Sequence, residues 1–466
     1  MRESLYKSFD EIYILNLHGS DKDSKNDENV FDIKIGVCIS FFVKYKDEVN
    51  NGAKVFYYST SDNDIFSRKE KFALLDDIRQ KGLNSIKWEE LVLNEPYFFF
   101  IKKEFENEEY EDFWALASDK ALGDKKAIFL NYNSGIETQK DNVAIQLMKN
   151  KMEEILKDFS NLNSLDLAKK YDLKDSRDWK ISNSINAIKN NLGKIERIAY
   201  RPFDLRWTFY TDKSKSFIAY PRYEIMQHFL NKENLGLCFS KVLNSDYYAH
   251  AFILNDIAER GIISSKTSEN AYIAPLYLYV NNEKIPNFTS EFLTYKENHK
   301  ILKDKSPEEI LYFIYANLYN PKYRTKYLEY LKTGFARIDF EVEQKTFDHF
   351  VTLGKELVNL HLFKENLDDD IDFIFLKEDK RANFKIKKYQ EKDRFIENKI
   401  ILNEDLAISP ISAEIWQFTI GGYQVIKQWL KYRNDYECSK EELEHLLKMC
   451  KVIKQTINLQ KELNDH

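Results

Sequence analysis

Only 13 glycines and 8 prolines interrupt a chain of 466 residues that carries 29 tyrosines and 33 phenylalanines. So few breakers of regular structure argue against collagen-like, disordered or linker-rich architectures and favour long folded elements. With 43% hydrophobic and 31% charged residues, the composition is that of a soluble globular protein long enough for two or three domains. The cysteines Cys38, Cys238, Cys438 and Cys450 form no CxxC pair. They suit buried free thiols in a reducing cytoplasm and argue against a zinc site. The N-terminus has no apolar signal core, and no stretch approaches the roughly 18 apolar residues of a membrane span. A cytoplasmic protein without a membrane partner is expected.

Apolar runs at 12–17 and 35–44, then 54–59, read as strands, and the nearly continuous second run fits a central strand covered on both faces. Residues 69–80 carry a helical pattern, and Tyr97–Ile101 reads as another strand. The acidic run 104–112 marks a boundary. Beyond it, AIFLNYNSGIETQKDN predicts a strand, a Ser-Gly turn and entry into a long charged helix ending near Phe159. Residues 195–280 look strand-rich. From Ser306 the pattern turns helical, opened by a capping box with proline at the first helical position. A second box at Ser439 opens a last helix whose buried face should hold Leu443, Leu446, Leu447, Cys450, Ile453 and Ile457. Asp368–Asp393, dense in both charge signs, reads as an exposed hairpin or loop.

The net charge of −6 does not advertise a nucleic-acid binder, but binding depends on local patches. Between Lys194 and Lys241, nine Lys/Arg face five Asp/Glu. Within this region RIAYRPFDLRWTFY (197–210) sets Arg197, Arg201 and Arg206 among Tyr200, Phe203, Trp207, Phe209 and Tyr210. Arginine forks reach phosphates and guanine edges while aromatic rings pack beside them, which suits a nucleic-acid surface. The same pattern also describes a half-buried sheet with solvated arginines.

This segment resembles the Tyr-Arg-Pro-Phe-Asp-x-Arg-Trp block in the target-recognition region of type ISP and related type IIG restriction-modification enzymes. Further blocks follow in family order: SGIETQKDN, YPRYEIMQHFL (220–230), NLGLCFSK (234–241), HAFILNDIAERG (250–261), SPEEILYFIYANLY (306–319) and IWQFTIGGYQVIKQWLKYR (415–433). The resemblance implies a mixed α/β fold. An incomplete Rossmann-like methyltransferase sheet (1–105) and a connecting strand and helix (106–160) precede a strand-rich recognition core (161–300) and a mainly helical region (301–466). It implies sequence-specific recognition of double-stranded DNA on behalf of an adenine-specific methyltransferase that uses S-adenosylmethionine.

The intact enzyme needs a glycine loop for that cofactor and an Asn/Asp-Pro-Pro-aromatic loop for the flipped adenine. The chain contains no Gly-x-Gly and no Pro-Pro. Asn94-Glu95-Pro96-Tyr97 imitates the second but falls after the strands that should follow it. Met1 aligns with an internal methyltransferase position, so this chain alone is expected to bind no cofactor and to be inactive as an enzyme. The alternatives are a subunit completed by a separate N-terminal methyltransferase or nuclease chain, or an inactive truncated product. Glu378-Asp379-Lys380 with Asp370 and Asp372 imitates a nuclease metal site, a spacing that chance supplies in so charged a chain, so no catalytic or metal-binding residue is assigned. His250 is expected to be buried and structural, His18 to bond neighbouring backbone, and Gly421-Gly422 to form a tight turn. Arg201, Arg206, Lys215, Arg222 and Lys241 are the DNA-contact candidates, with Tyr220 packing at the DNA surface; Arg201 and Arg206, near Asp204, could instead knit the fold together.

Overall fold

The computed structural model describes residues 1–20, 26–46, 52–95, 97–103, 107–118, 126–266, 269–281, 283–377 and 383–465. The chain divides into two compact units, Met1–Glu106 and the segment from Asn107 onward. Both mix helix and strand, and the α/β class expected from the sequence holds.

In the first unit, strand Glu11–His18 runs parallel to Lys54–Ser59 and antiparallel to Val37–Val43, and Glu89–Leu91 completes a four-stranded sheet. Ile12, Ile14, Val55 and Tyr57 pack with Leu5, Tyr6 and Phe9. Leu15, Leu17 and Tyr58 pack with Leu74, Leu75 and Ile78 of helix Arg68–Lys81, so the central strand is apolar on both faces. Ser67 and Glu70 cap that helix reciprocally. The expected central strand in 35–44 is instead an edge strand. Its half-buried positions Val37, Ile39, Phe41 and Val43 alternate with exposed Cys38, Ser40 and Phe42, a period of two hidden by apolar residues on both faces. Residues 97–101 form no strand, since Phe98 takes a positive φ of 46° that extended backbone does not allow. His18 bonds the Ser59 and Ser61 hydroxyls at 2.9 and 3.0 Å, side chains where backbone had been expected.

The second unit contains several sheets. Ala251–Leu254, Gly236–Ser240, Ala271–Pro275 and Asn133–Ser134 form one antiparallel sheet, in that order. Gly193–Arg201 and Asp204–Thr211 form a long hairpin joined by Ile257–Ala258. The long helix expected after residue 142 is two helices, Asp141–Ala144 and Lys149–Asn161. Between them Gln146 exchanges both backbone hydrogen bonds with Trp207 of the hairpin, at 2.8 Å each, and so leaves helical geometry.

The capping boxes at Ser306 and Ser439 start helices Pro307–Tyr319 and Lys440–Asn464. On the latter, Leu443, Leu446, Cys450 and Ile453 are buried, whereas Leu447 and Ile457 are only half-buried and Met449, Val452, Thr456 and Leu459 fill the face. A four-stranded antiparallel sheet interrupts the helical region, in the order Asp372–Phe375, Leu406–Ser409, Lys399–Ile401, Phe395–Ile396. The segment from Asp368 is therefore partly sheet; Glu378-Asp379-Lys380 lies outside the described residues. Gly421 takes φ 58° in the turn between Thr419–Ile420 and Tyr423–Gln424. A Cβ there would lie 1.8 Å from the Ile263 carbonyl oxygen, so the Gly-Gly pair admits a close backbone approach.

Helix Gln344–His361 packs against Pro307–Tyr319 and the last helix. At its end the buried His361 ring bonds the Tyr315 hydroxyl at 2.6 Å and the Thr456 hydroxyl at 3.0 Å. Burial, with Arg324 nearby, pushes its pKa down to about 3. The folded protein thus holds this histidine neutral where an unfolded chain would protonate it. Its stabilising contribution is complete above pH ~6.5 and is lost as pH falls toward 3, by up to ~1.4 kcal/mol per pH unit. Urea unfolding between pH 7 and 4 should show His361→Asn less stable at pH 7 but with a shallower acid slope.

Candidate nucleic-acid interface

The hairpin turn in RPFDLRW is two residues long, because Arg201 pairs directly with Asp204. Pro202 fixes the first turn position, and Phe203 takes the second with φ 60°, a conformation costly for a bulky residue. Packing holds it there. The Phe203 ring meets Phe252, Phe363 and His361 at 5.2, 5.2 and 5.6 Å, and its carbonyl bonds His445 Nε2 at 2.7 Å.

Behind the turn lies a buried charge network. Arg206 donates from Nε and Nη2 to Asp204 Oδ2 at 2.9 and 2.7 Å, and Arg433 Nη2 donates to the other oxygen at 3.1 Å. Arg201 Nη1 pairs with Glu259 at 2.6 Å, and Glu259 also accepts the Gly261 N–H at 2.8 Å. Both hairpin guanidinia lie close to the Tyr200 ring, at 3.8 Å for Arg201 and 4.1 Å for Arg206. The Tyr200 hydroxyl donates to Asp141 at 2.9 Å, which ties the Thr138-x-x-Asp141 turn to the hairpin. Burial and the Asp141 charge raise the Tyr200 pKa, against the pull of Arg201. Arg201 and Arg206 are each only 8% exposed. The structure therefore places these two candidates inside the fold, Arg206 paired with Asp204 and Arg201 with Glu259 through Nη1, while Arg201 Nε is buried without a hydrogen-bond partner among the described residues. A groove of about 650 Å3 runs past the turn, lined by Leu205, Trp207, Phe363, Trp429 and His445, with Lys149, Arg197 and Lys448 also on its walls.

Three other candidates come together elsewhere. Asp178, buried, accepts from Arg177 Nε and Nη2 at 3.0 and 2.8 Å and pairs with Lys215 Nζ at 3.2 Å. Tyr220 is also hydrogen-bonded to this carboxylate, and Arg222 lies 5.3 Å from the Tyr220 ring. The bonds from Arg177 and Tyr220, then Lys215, hold the Asp178 carboxyl well below the usual carboxylate range. Lys241 has different neighbours: it follows strand Gly236–Ser240 and stands over the Phe335 ring at 5.6 Å. Sequence reasoning missed Arg177, Asp178 and Arg433. The Arg177-Asp178-Trp179 triplet mixes charge with an aromatic as the hairpin does, and it was the available signal for the first two.

His250 is buried as expected. Its Nε2 lies 3.4 Å from Glu269, which also accepts the Ser264 hydroxyl at 2.7 Å, the Asn244 N–H at 2.9 Å and Lys266 Nζ at 3.1 Å. Burial opposes charge on Glu269, but these donors outweigh it and depress its pKa. The carboxylate thus ties the 241–248 loop to the 264–269 segment. Among the described residues, no group of three His, Cys, Asp or Glu could hold a metal ion, and no helix is long and apolar enough to cross a membrane.

A sequence model of the type ISP C-terminal specificity domain matches residues 127–462. The chain belongs to this family. The match covers the hairpin, the Asp178 cluster and the Glu269 network of the specificity domain. No curated protein matches significantly. Solved structures with the same fold include the ATP-dependent type ISP restriction-modification enzyme LlaBIII bound to DNA (TM-score 0.74, 21% identity, covering 99% of this chain and 31% of that one). The DrdV–DNA complex gives 0.72 at 20% identity, covering 100% and 48%. A nuclease-deletion mutant of the type ISP enzyme LlaGI in complex with a DNA substrate mimic gives 0.69 at 20%, covering 99% and 44%. The chain spans about a third to a half of the length of these proteins.

Asp204 bonds two buried guanidinia, its hairpin neighbour Arg206 and Arg433, which lies 229 residues from Asp204 in the chain. Asp204→Ala strips Arg206 of its carboxylate and leaves Arg433 only Glu442 at 3.4 Å, and should cost about 3–5 kcal/mol, read from the urea midpoint. Arg197→Ala, which loses only a half-exposed pair with Asp256, should change stability by less than about 1 kcal/mol.

Proposed function

We propose that this specificity domain recognises a short sequence in double-stranded DNA and supplies the target choice of an adenine-specific methyltransferase or combined restriction-modification enzyme. The family match over 127–462 carries the reading, and the DNA complexes among the proteins of like fold support it. In such a domain Lys and Arg set register on the phosphates and side chains read base edges in the major groove. The buried Arg201 and Arg206 fit a framework role that fixes the loops, while Lys215, Tyr220, Arg222 and Lys241 remain the surface candidates. S-adenosylmethionine would serve the whole enzyme. The chain has neither the glycine loop nor the Pro-Pro loop, and we assign none of its residues to the cofactor.

One observation favours a second reading in which a methyltransferase-bearing chain pairs with the first unit. Strand Val37–Val43 lies at the sheet edge, and Ile35 and Phe42 on it and beside it are 76% and 40% exposed. Such an edge is a template for a further strand. Co-expression with a chain that supplies both missing motifs should then give a stable complex, and Phe42→Lys should weaken it.

Selection of the purified chain on randomised duplex DNA at moderate salt, followed by sequencing, tests the main reading. Enrichment of one short motif is expected, with affinity at least about 10³-fold above random sequence. Binding without enrichment would leave only an electrostatic surface and would contradict it.

A further inference from the structure

Resting on that reading, we propose that Lys140, Arg177, Lys215 and Arg222, organised around the buried Asp178 and Tyr220, form a contact site for the DNA phosphate backbone, with Asp178 as its positioning residue. The cluster is assembled from three chain segments. Lys140 stands 5.6 Å over the Trp179 ring, next in sequence to Asp178. Arg177 and Lys215 pair with the Asp178 carboxylate, and Arg222 lies beside Tyr220. Two cations, Arg177 and Lys215, pair with the one carboxylate, and Lys140 and Arg222 stand over the neighbouring Trp179 and Tyr220 rings. The neighbouring Glu137 is itself paired with Arg260 and adds no opposing charge of its own.

Stability does not explain the arrangement. The Arg177 side chain is 87% exposed and Lys215 55%, while Asp178 is 8%. Exposed pairs of this kind add little to stability, because water screens them and long side chains lose freedom in holding one geometry. The buried acid instead engages one edge of the Arg177 guanidinium and the Lys215 ammonium, which leaves Arg177 Nη1 outside the bidentate pair. The base under them is rigid. Trp179 Nε1 donates to the Phe217 carbonyl at 3.0 Å, Asn183 to the Lys215 carbonyl at 2.9 Å and Ser184 to the Ser216 carbonyl at 3.3 Å. Lys215 itself sits at φ 58°, closed by its N–H to the Ala219 carbonyl at 2.8 Å. A preordered set of forks and an ammonium suits phosphate oxygens, which Arg engages bidentately and Lys as a point charge. A guanidinium fork can also read a guanine edge, so equal weakening on every sequence is what marks these contacts as phosphate contacts.

The test measures binding of the whole chain to its selected duplex and to a random duplex between about 0.05 and 0.3 M salt. Arg177→Ala and Lys215→Ala should each weaken both duplexes by the same factor and each reduce the slope of log K against log salt by about 0.9. Arg177→Lys should restore the slope. Asp178→Asn separates positioning from bulk charge: it makes the patch more positive, yet should weaken binding, whereas a merely repulsive carboxylate predicts tighter binding. Thermal melting of each variant checks that the fold is kept. Unchanged slopes in Arg177→Ala and Lys215→Ala, or loss confined to one sequence, would overturn the phosphate assignment. Tighter binding by Asp178→Asn would overturn the positioning role. If the unaltered chain selects a motif and these variants match it, only this site is refuted; if the unaltered chain selects none, the reading of function fails instead.

Discussion

The Asp204 carboxylate holds the second unit together. It joins Arg206 of the hairpin to Arg433, which follows helix Val425–Lys431, and Arg433 in turn reaches Glu442 in the first turn of the last helix. Arg433 also stacks over Trp429 at 3.8 Å. A buried charge set of this kind adds little net stability over an apolar core of the same shape, but removal of one member leaves the others stranded. Its value lies in register. The pairing of both guanidinia with one carboxylate brings a two-residue turn against a segment more than 200 residues away in the chain. The strained Phe203 backbone and its bond to His445 depend on the same docking.

From that anchor a division of labour follows. Arginines within RPFDLRW face inward, where Arg201 pairs with Glu259, Arg206 pairs with Asp204 and the Tyr200 ring lies beside both. On the flanking loops, exposed Arg177 and Lys215 share a single acid, Asp178. The same side-chain chemistry therefore builds the scaffold in one place and offers a polyanion-binding surface in another, and burial decides which. Of the nine Lys/Arg between Lys194 and Lys241, Arg201 and Arg206 contribute nothing to the surface surplus. The Asp178 cluster makes up for them with Lys140 and Arg177, which lie outside that window.

Much of the fold was legible because its signals are local. Serine-capped helix starts at Ser306 and Ser439 appear in the structure where the capping residues place them, and the glycine pair at 421–422 marks a turn for the steric reason expected of it. Two of the failures share one cause, tertiary pairing that overrides a local pattern. Gln146 leaves a helical stretch to pair with Trp207, and an apolar run at 35–44 turns out to lie at an edge because only one neighbour pairs with it. Within the candidate site, Lys215, Tyr220 and Arg222 stood out by composition, but Asp178 could not. One aspartate in a charged stretch gives no sign in sequence that two loops will deliver cations to it.

Hydrogen–deuterium exchange of the full chain, with and without a duplex carrying its selected motif, tests the central claim most directly. Slowed exchange on DNA binding is predicted in the loops at 172–180 and 212–223, with little change at 198–206, whose backbone and arginines are already engaged inside the fold. Protection centred on 198–206 with none in the two loops would contradict the account, and would return the hairpin arginines to the DNA surface.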